Sequence, residues 1–138
     1  MKKLLVACLA FISVAGVGYS KDYKSGKVFH HKHWVKFECP GVEIYRIRKE
    51  WYSSGGVIKR VENFSKGKRR GRSYKQSSFF EYKVRHYPRK NEKVPASLVF
   101  YTNPGMSGRV TTIFTFFWRS KKCKNRKTTS VVSSNILR

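Results

Sequence analysis

Val42-Glu43-Ile44-Tyr45-Arg46-Ile47-Arg48-Lys49-Glu50-Trp51-Tyr52 is the stretch on which the fold class turns. Ile44, Ile47 and Trp51 stand at offsets 0, 3 and 7, which puts three apolar side chains on one helical face. Arg46, Arg48, Lys49 and Glu50 occupy the rest of that cylinder. Pro40-Gly41 precedes the stretch and Ser53-Ser54-Gly55-Gly56 follows it, so both ends carry breakers. The spacing predicts one short amphipathic helix over 42–52.

Outward from it the chain reads as strand and loop. Upstream, Val28 to Cys39 (VFHHKHWVKFEC) is rich in β-branched and aromatic residues. Its second half alternates, Trp34, Lys36 and Glu38 against Val35, Phe37 and Cys39, which predicts a strand ending at Cys39. Downstream, Val57 to Phe64 is a weak segment. Lys66 to Arg72 (KGKRRGR) reads as a cationic loop that buries nothing. Phe80, Tyr82, Val84 and His86 alternate with Phe79, Glu81, Lys83 and Arg85, a strand signal. Arg89 to Ala96 reads as a loop. Leu98 to Thr102 and Arg109 to Trp118 are predicted strands flanking the turn-rich Asn103 to Gly108, a hairpin pattern. Phe79, Phe80, Phe114, Phe116 and Phe117 are the candidate core aromatics. Lys124 to Arg138 reads as a loose basic and polar tail. One helix packed on an antiparallel sheet, an α+β domain, follows.

Composition sets the class of partner. The 138 residues hold 31 Lys+Arg against 7 Asp+Glu, a formal charge of +24, yet 15% are aromatic and 40% apolar. Disordered basic tails lack that aromatic load, and the length allows one domain. Met1-Lys2-Lys3 followed by an uncharged run from Leu4 to Ser20 suits a secretory signal, with cleavage after Ser20 and an uncleaved anchor as the alternative. The expected organisation is a signal over 1–20, a polar lead-in over 21–27, a domain over 28–123 and a tail over 124–138. Losing the signal removes Cys8 and leaves Cys39 and Cys123. In an oxidising compartment that pair reads as one disulfide, two buried free thiols being the alternative. Asn63-Phe64-Ser65 is a candidate glycosylation sequon.

A resemblance enters with Phe37-Glu38-Cys39 leading into Gly41 and Ile44. Tyr87-Pro88, Leu98-Val99-Phe100, Asn103, Gly105, Gly108 and a final Cys123 extend it. Over Phe37 to Lys124 the chain resembles the ribonuclease-like secreted effectors of powdery mildew fungi (the RALPH type), which look like descendants of small guanine-specific fungal ribonucleases. The resemblance implies one helix on a curved antiparallel sheet, with a disulfide joining the two ends. It also places the ribonucleases' proton-transfer and charge positions on Gln76, His86, Ser97 and Thr112. Cleavage of RNA needs a base at the 2′-hydroxyl and an acid at the leaving oxygen. Of those four residues only His86 titrates near neutrality. The catalytic set reads as replaced, with residual activity through His86 as the remaining enzymatic option.

Charge and stacking point to a polyanion. Lys66, Lys68, Arg69, Arg70, Arg72, Tyr74, Lys75, Arg85, Tyr87 and Arg89 interleave cations with aromatics, the pairing that contacts phosphates and stacks bases. The cation-rich runs Lys68-Arg69-Arg70 and Lys121 to Lys127 also match nuclear-import patterns of poor specificity. His30, His31 and His33 lack neighbouring carboxylates or cysteines, and no CxxC spacing exists, so neither a metal nor a cofactor is expected. Asp22 is the sole aspartate and no nucleophile-elbow motif occurs, which argues against Ser-His-Asp hydrolysis. The expectation is a monomeric, secreted, non-catalytic effector. It would bind host RNA or an RNA-containing particle, with translocation into the plant cell implied by the resemblance. The alternatives are a scaffold for an acidic host defence protein and a cationic protein acting on anionic membranes.

Overall fold

A computed structural model describes residues 20–65, 68–124 and 126–138. All of the expected signal over 1–20 except Ser20 lies outside the described residues, as does Lys66. Nine strands and no helix occur among them: β1 (Ser20–Lys24), β2 (Val28–Val35), β3 (Glu43–Ser53), β4 (Ile58–Ser65), β5 (Lys68–Ser73), β6 (Ser77–His86), β7 (Val94–Thr102), β8 (Gly108–Arg119) and β9 (Lys127–Leu137). They form a five-stranded sheet in the order β1-β9-β8-β3-β6 and a four-stranded sheet in the order β2-β7-β4-β5. Apart from the parallel β1–β9 pair, every pairing is antiparallel.

The predicted helix is strand β3, and the α+β assignment is corrected to all-β. The cause is local. Opposite β8, Ile44 pairs with Trp118 and Arg46 with Phe117, so Tyr45 is an extra residue in a bulge. That one-residue insertion returns Ile44 and Ile47 to the same face although they stand three apart, which imitates a helical period. Beyond the bulge the strand alternates, with Lys49 and Trp51 buried and Tyr52 exposed. The helix-on-curved-sheet layout implied by the ribonuclease resemblance is therefore not the architecture of this chain.

Three further expectations are corrected. Lys68 to Arg72 of the basic stretch belong to edge strand β5, paired with β4 through Asn63↔Arg70 and Phe64↔Arg69; a cationic edge strand resists pairing with other chains. The tail after Cys123 is mostly β9, paired along β8 from Phe117↔Lys127 to Gly108↔Ile136. Its Ser and Thr residues tolerate this placement because their hydroxyls find partners. Thr128 accepts from Trp118 Nε1 at 3.1 Å, and Ser133 meets Thr111 at 2.8 Å. Finally, β7 and β8 are not a hairpin: β7 lies between β2 and β4, β8 between β3 and β9. Their connection crosses from one sheet to the other, packed so closely on the β3–β4 turn that a side chain at Gly55 would run into the Ser107 carbonyl.

The core lies between the sheets. Trp51, Phe114, Phe116 and Trp118 from one sheet meet Phe29, Val61, Leu98 and Phe100 from the other. Tyr23 of β1 stacks on Phe29 of β2 with ring centroids 4.4 Å apart, and Phe29 stacks on Phe100 at 5.2 Å. Cys39 and Cys123 form the expected disulfide, tying the segment before β3 to the segment after β8. Phe114 and Phe116 are core, as expected, whereas Phe79 is 48% exposed on the outer face.

Candidate nucleic-acid interface

The site is built where the two sheets part. Strand β6 is one edge of the five-stranded sheet, opposite β1, and β5 is one edge of the four-stranded sheet, opposite β2. The two edges touch at Gly71, whose backbone has φ +77° and where a Cβ would sit 2.9 Å from the Phe80 ring. Glycine serves both needs, the left-handed conformation and the close approach. Register between β4 and β7 ends at Asn63↔Leu98, so the first half of β7 has no β4 partner. A groove of about 880 Å³ opens there, walled by Phe80, Tyr82 and Val84 of β6 and by Val94 to Ser97 of β7.

Lys49 lies at its floor. The side chain is 1% exposed, and its ammonium donates to Asn63 Oδ1 at 2.7 Å and to the Ser97 carbonyl at 2.9 Å. The Tyr82 ring lies 5.6 Å from Nζ. Burial pushes Lys49 down to about 8, so it stays charged at neutral pH. No carboxylate of the described residues lies within ion-pair distance of it; the buried charge is held by two neutral acceptors. Lys32, Lys83 and Arg85 also line the groove.

At one end His86 Nε2 meets Glu92 Oε2 at 2.8 Å, and Glu92 Oε1 accepts from the Arg89 backbone N–H at 2.7 Å. The Arg89 hydrogen bond, with the one from His86, holds the Glu92 carboxyl below the usual range. Tyr87, Arg89 and Lys90 join His86 and Glu92 around an adjoining cavity of about 560 Å³. The structure thus brings Arg85, Tyr87 and Arg89 together at the groove, with Tyr87 60% exposed. Arg85 also approaches Glu43 at 3.9 Å. Lys68, Arg69 and Arg70 are on β5 next to Gly71 of the groove wall. Arg72 pairs with the buried Glu62 at 3.8 Å. Tyr74 (64% exposed) and Lys75 sit on the β5–β6 connection, where the Lys75 carbonyl accepts from Trp51 Nε1.

The four positions that the resemblance marks as catalytic do not converge on one centre. His86 and Ser97 line the groove. Gln76 instead fastens the β3–β4 turn: its Oε1 accepts from Ser53 Oγ and the Ile58 N–H, and its Nε2 donates to the Ile58 carbonyl. Thr112 is buried against His31, whose Nδ1 lies 2.8 Å from Thr112 Oγ1 and whose Nε2 lies 2.7 Å from Ser134 Oγ. That trio spans the two sheets with none of its members more than 2% exposed, and burial lowers His31 to about 4. It is a neutral imidazole bolted between hydroxyls. His33 stacks on Trp34, away from the His31 bonds, and no cluster of three metal-ligating side chains occurs among the described residues. Asn63 of the sequon is 4% exposed and committed to Lys49, not displayed on a loop.

Sequence reasoning missed Lys32, Lys49, Lys83 and Glu92. Lys49 was legible in one respect: it stands between Ile47 and Trp51 at the same parity, so any strand reading forces it inward.

No family model and no curated protein matches the chain. Among solved structures it is similar to the PapD-like (ASH) domain 7 of human CEP192, at 11% identity and TM-score 0.32, covering 91% of this chain and 86% of that one. It is also similar to the CupB6 tip adhesin of Pseudomonas aeruginosa, at 11% identity and TM-score 0.33, covering 88% of this chain and 41% of that one. Likeness at this level carries no argument about function. No helix among the described residues is long and apolar enough to cross a membrane.

Proposed function

We propose that this protein is a secreted, non-catalytic binder of RNA, engaging the strand along the groove between β6 and β7 and over the basic β4–β5 hairpin. The observation that carries the reading is the placement of β5. Lys68 to Arg72, from the most cationic stretch of the chain, lie on an edge strand bordering a groove lined by Lys32, Lys49, Lys83 and Arg85. A cationic track with aromatic walls is the arrangement that holds single strands without reading sequence. The resemblance to powdery-mildew effectors supplies the setting, host RNA or a ribonucleoprotein in a plant cell. The ribonuclease architecture is no part of the proposal.

The test is an incubation of the oxidised protein with end-labelled RNA across a salt series, resolved on native and denaturing gels. The expected result is a shift with intact RNA and affinity falling log-linearly with salt, at a slope near −0.7 per phosphate contact for single strands. Cleavage abolished by His86→Ala would make it an enzyme, with Glu92 as the partner of the imidazole. No shift at low salt would remove RNA binding.

One observation favours a protein partner as the second reading. On the outer face of the five-stranded sheet Arg46 lies over Phe117 at 4.4 Å, Arg48 over Phe79 at 3.9 Å and Arg119 over Tyr45 at 4.4 Å. Arginines held on aromatic rings lose little freedom on docking an acidic surface.

A further inference from the structure

We infer that β6 is a self-complementary edge through which two copies of this chain pair, antiparallel about a twofold axis at Tyr82, into one continuous sheet. The inference does not rest on the RNA reading. Strand β6 ends the five-stranded sheet, and its strand neighbour is β3 alone. It is ten residues long, twice the length of β1 at the opposite edge. An edge of that length carries a row of main-chain donors and acceptors on its open side, a template for a further strand. The ladder with β3 is regular from Ser77 to Lys83 and shifts only between Lys83 and His86, so Tyr82 lies inside the regular part.

Side-chain chemistry selects the partner and the register. Residues that face each other in an antiparallel pair share one face of the sheet, so the axis of a self-pair passes through a residue. Centred on Tyr82, the pairing sets Glu81 against Lys83 twice on the outer face and Phe80 against Val84 twice on the inner one. Opposite charges and apolar groups set directly across from each other stabilise a sheet, and like charges there destabilise it. Centring on Glu81 or Lys83 sets that residue against its own copy, and centring on Val84 sets Lys83 against Arg85. Centring on Phe80 leaves Glu81 opposite Phe79, at the place where Gly71 of β5 approaches. Arg46 and Arg48, each 3.6 Å from Glu81, hold that carboxylate on the outer face, and a carboxylate has acceptor sites for a third cation. Lys83 is exposed and makes no ion pair among the described residues. The other edges lack this match. β5 brings cations against cations, and β2 carries His30, Lys32 and His33 with no carboxylate.

The formal charge of +24 opposes association. That repulsion acts across the whole molecule and is screened beyond about 8 Å at physiological salt, whereas the Glu81–Lys83 contacts are shorter than this. Self-association should therefore strengthen with salt, the reverse of RNA binding.

The test is sedimentation velocity of the oxidised protein over a concentration series at low and high salt. A reversible dimer is expected. Glu81→Lys and Lys83→Glu should each weaken it by about tenfold or more, since each creates two like-charged pairs across the axis. An equimolar mixture of the two variants should dimerise as the wild type does, because each supplies the charge that the other lacks. Lys83→Glu lowers the net charge, so general repulsion alone predicts the opposite change for it. A protein that stays monomeric at high concentration and high salt overturns the inference, as does a dimer that neither substitution weakens or a mixture that does not recover. If Glu81→Lys fails to fold, amide exchange of the wild type at low and high concentration decides. Slowing in β6 with β1, β2 and β5 unchanged upholds the inference, and any other pattern refutes it.

Discussion

The His31 bolt predicts an acid sensitivity of defined size. His31 is buried as the neutral imidazole, with a folded-state pKa lowered from 6.5 to about 4 by desolvation. Between those values the unfolded chain binds a proton that the folded chain refuses, so stability falls as the pH drops through this window. Above 6.5 the residue exacts no penalty, and below about 4 the loss is complete. The difference of about 2.5 pH units corresponds to about 3 kcal/mol at 1.36 kcal/mol per unit, a sizeable part of the 5–15 kcal/mol typical of a domain. The assay is urea unfolding at intervals from pH 4.5 to 7.5 for the wild type and for His31→Gln, whose amide can still donate to one hydroxyl and accept from the other. Every other ionisable group is common to both proteins and cancels. The wild type should therefore lose up to about 1.4 kcal/mol per pH unit relative to the variant over the acid part of the range. A difference in unfolding free energy that stays flat with pH would refute the reasoning, because it would mean that His31 takes up its proton in the folded state.

Lys49 predicts the mirror experiment at alkaline pH. Its pKa falls to about 8 on folding, so the wild type should gain stability relative to Lys49→Met as pH rises from about 8 toward the unfolded value, seen in the same unfolding assay. Reducing Cys39–Cys123 opens a cross-link spanning 84 positions, worth about 4–5 kcal/mol by the loop-entropy relation, and the denaturant midpoint with and without reductant measures it. Gly71→Ala places a Cβ 2.9 Å from Phe80 in a backbone at φ +77°. A loss of about 1–3 kcal/mol is expected, along with faster amide exchange in β5 and β6 and little change in the β8–β9 pair.

Strands β2, β6, β8 and the Leu98–Thr102 part of β7 were legible because β-branched and aromatic residues concentrate there, whereas Val94 to Ala96 read as a loop and the strand expected to run to Cys39 ends at Val35. The stretch that misled was 42–52. A bulge at Tyr45 and a lysine at an inward position removed the period of two, leaving the apparent helical spacing of Ile44, Ile47 and Trp51. β9 was hidden for the opposite reason. Its inward residues include Ser130 and Ser134, small and polar, and the partner that makes Ser134 acceptable in a core, His31, lies 103 positions away. Strand partners as such are invisible to local reading, which is why Asn103 to Gly108 looks like a hairpin turn and is a crossing between sheets. At the candidate site the exposed cations Arg85 and Arg89 were legible from charge. The groove they border depends on two sheet edges meeting at Gly71, a contact between strands that composition cannot show.

The strand order has a consequence for how the molecule forms. Of the pairings in the two sheets, only β4–β5 and β8–β9 join neighbours in sequence. Strand β3 waits for both β6 and β8, β2 for β7, and β1 for β9. A topology of such distant pairings folds in milliseconds to seconds, not microseconds, because loop closure precedes the contacts that reward it. During synthesis β3 spends that interval with its apolar side chains unpaired, until the chain beyond Arg119 has emerged. Until then the abundance of positive charge along the unfinished chain serves another purpose: it keeps neighbouring copies apart.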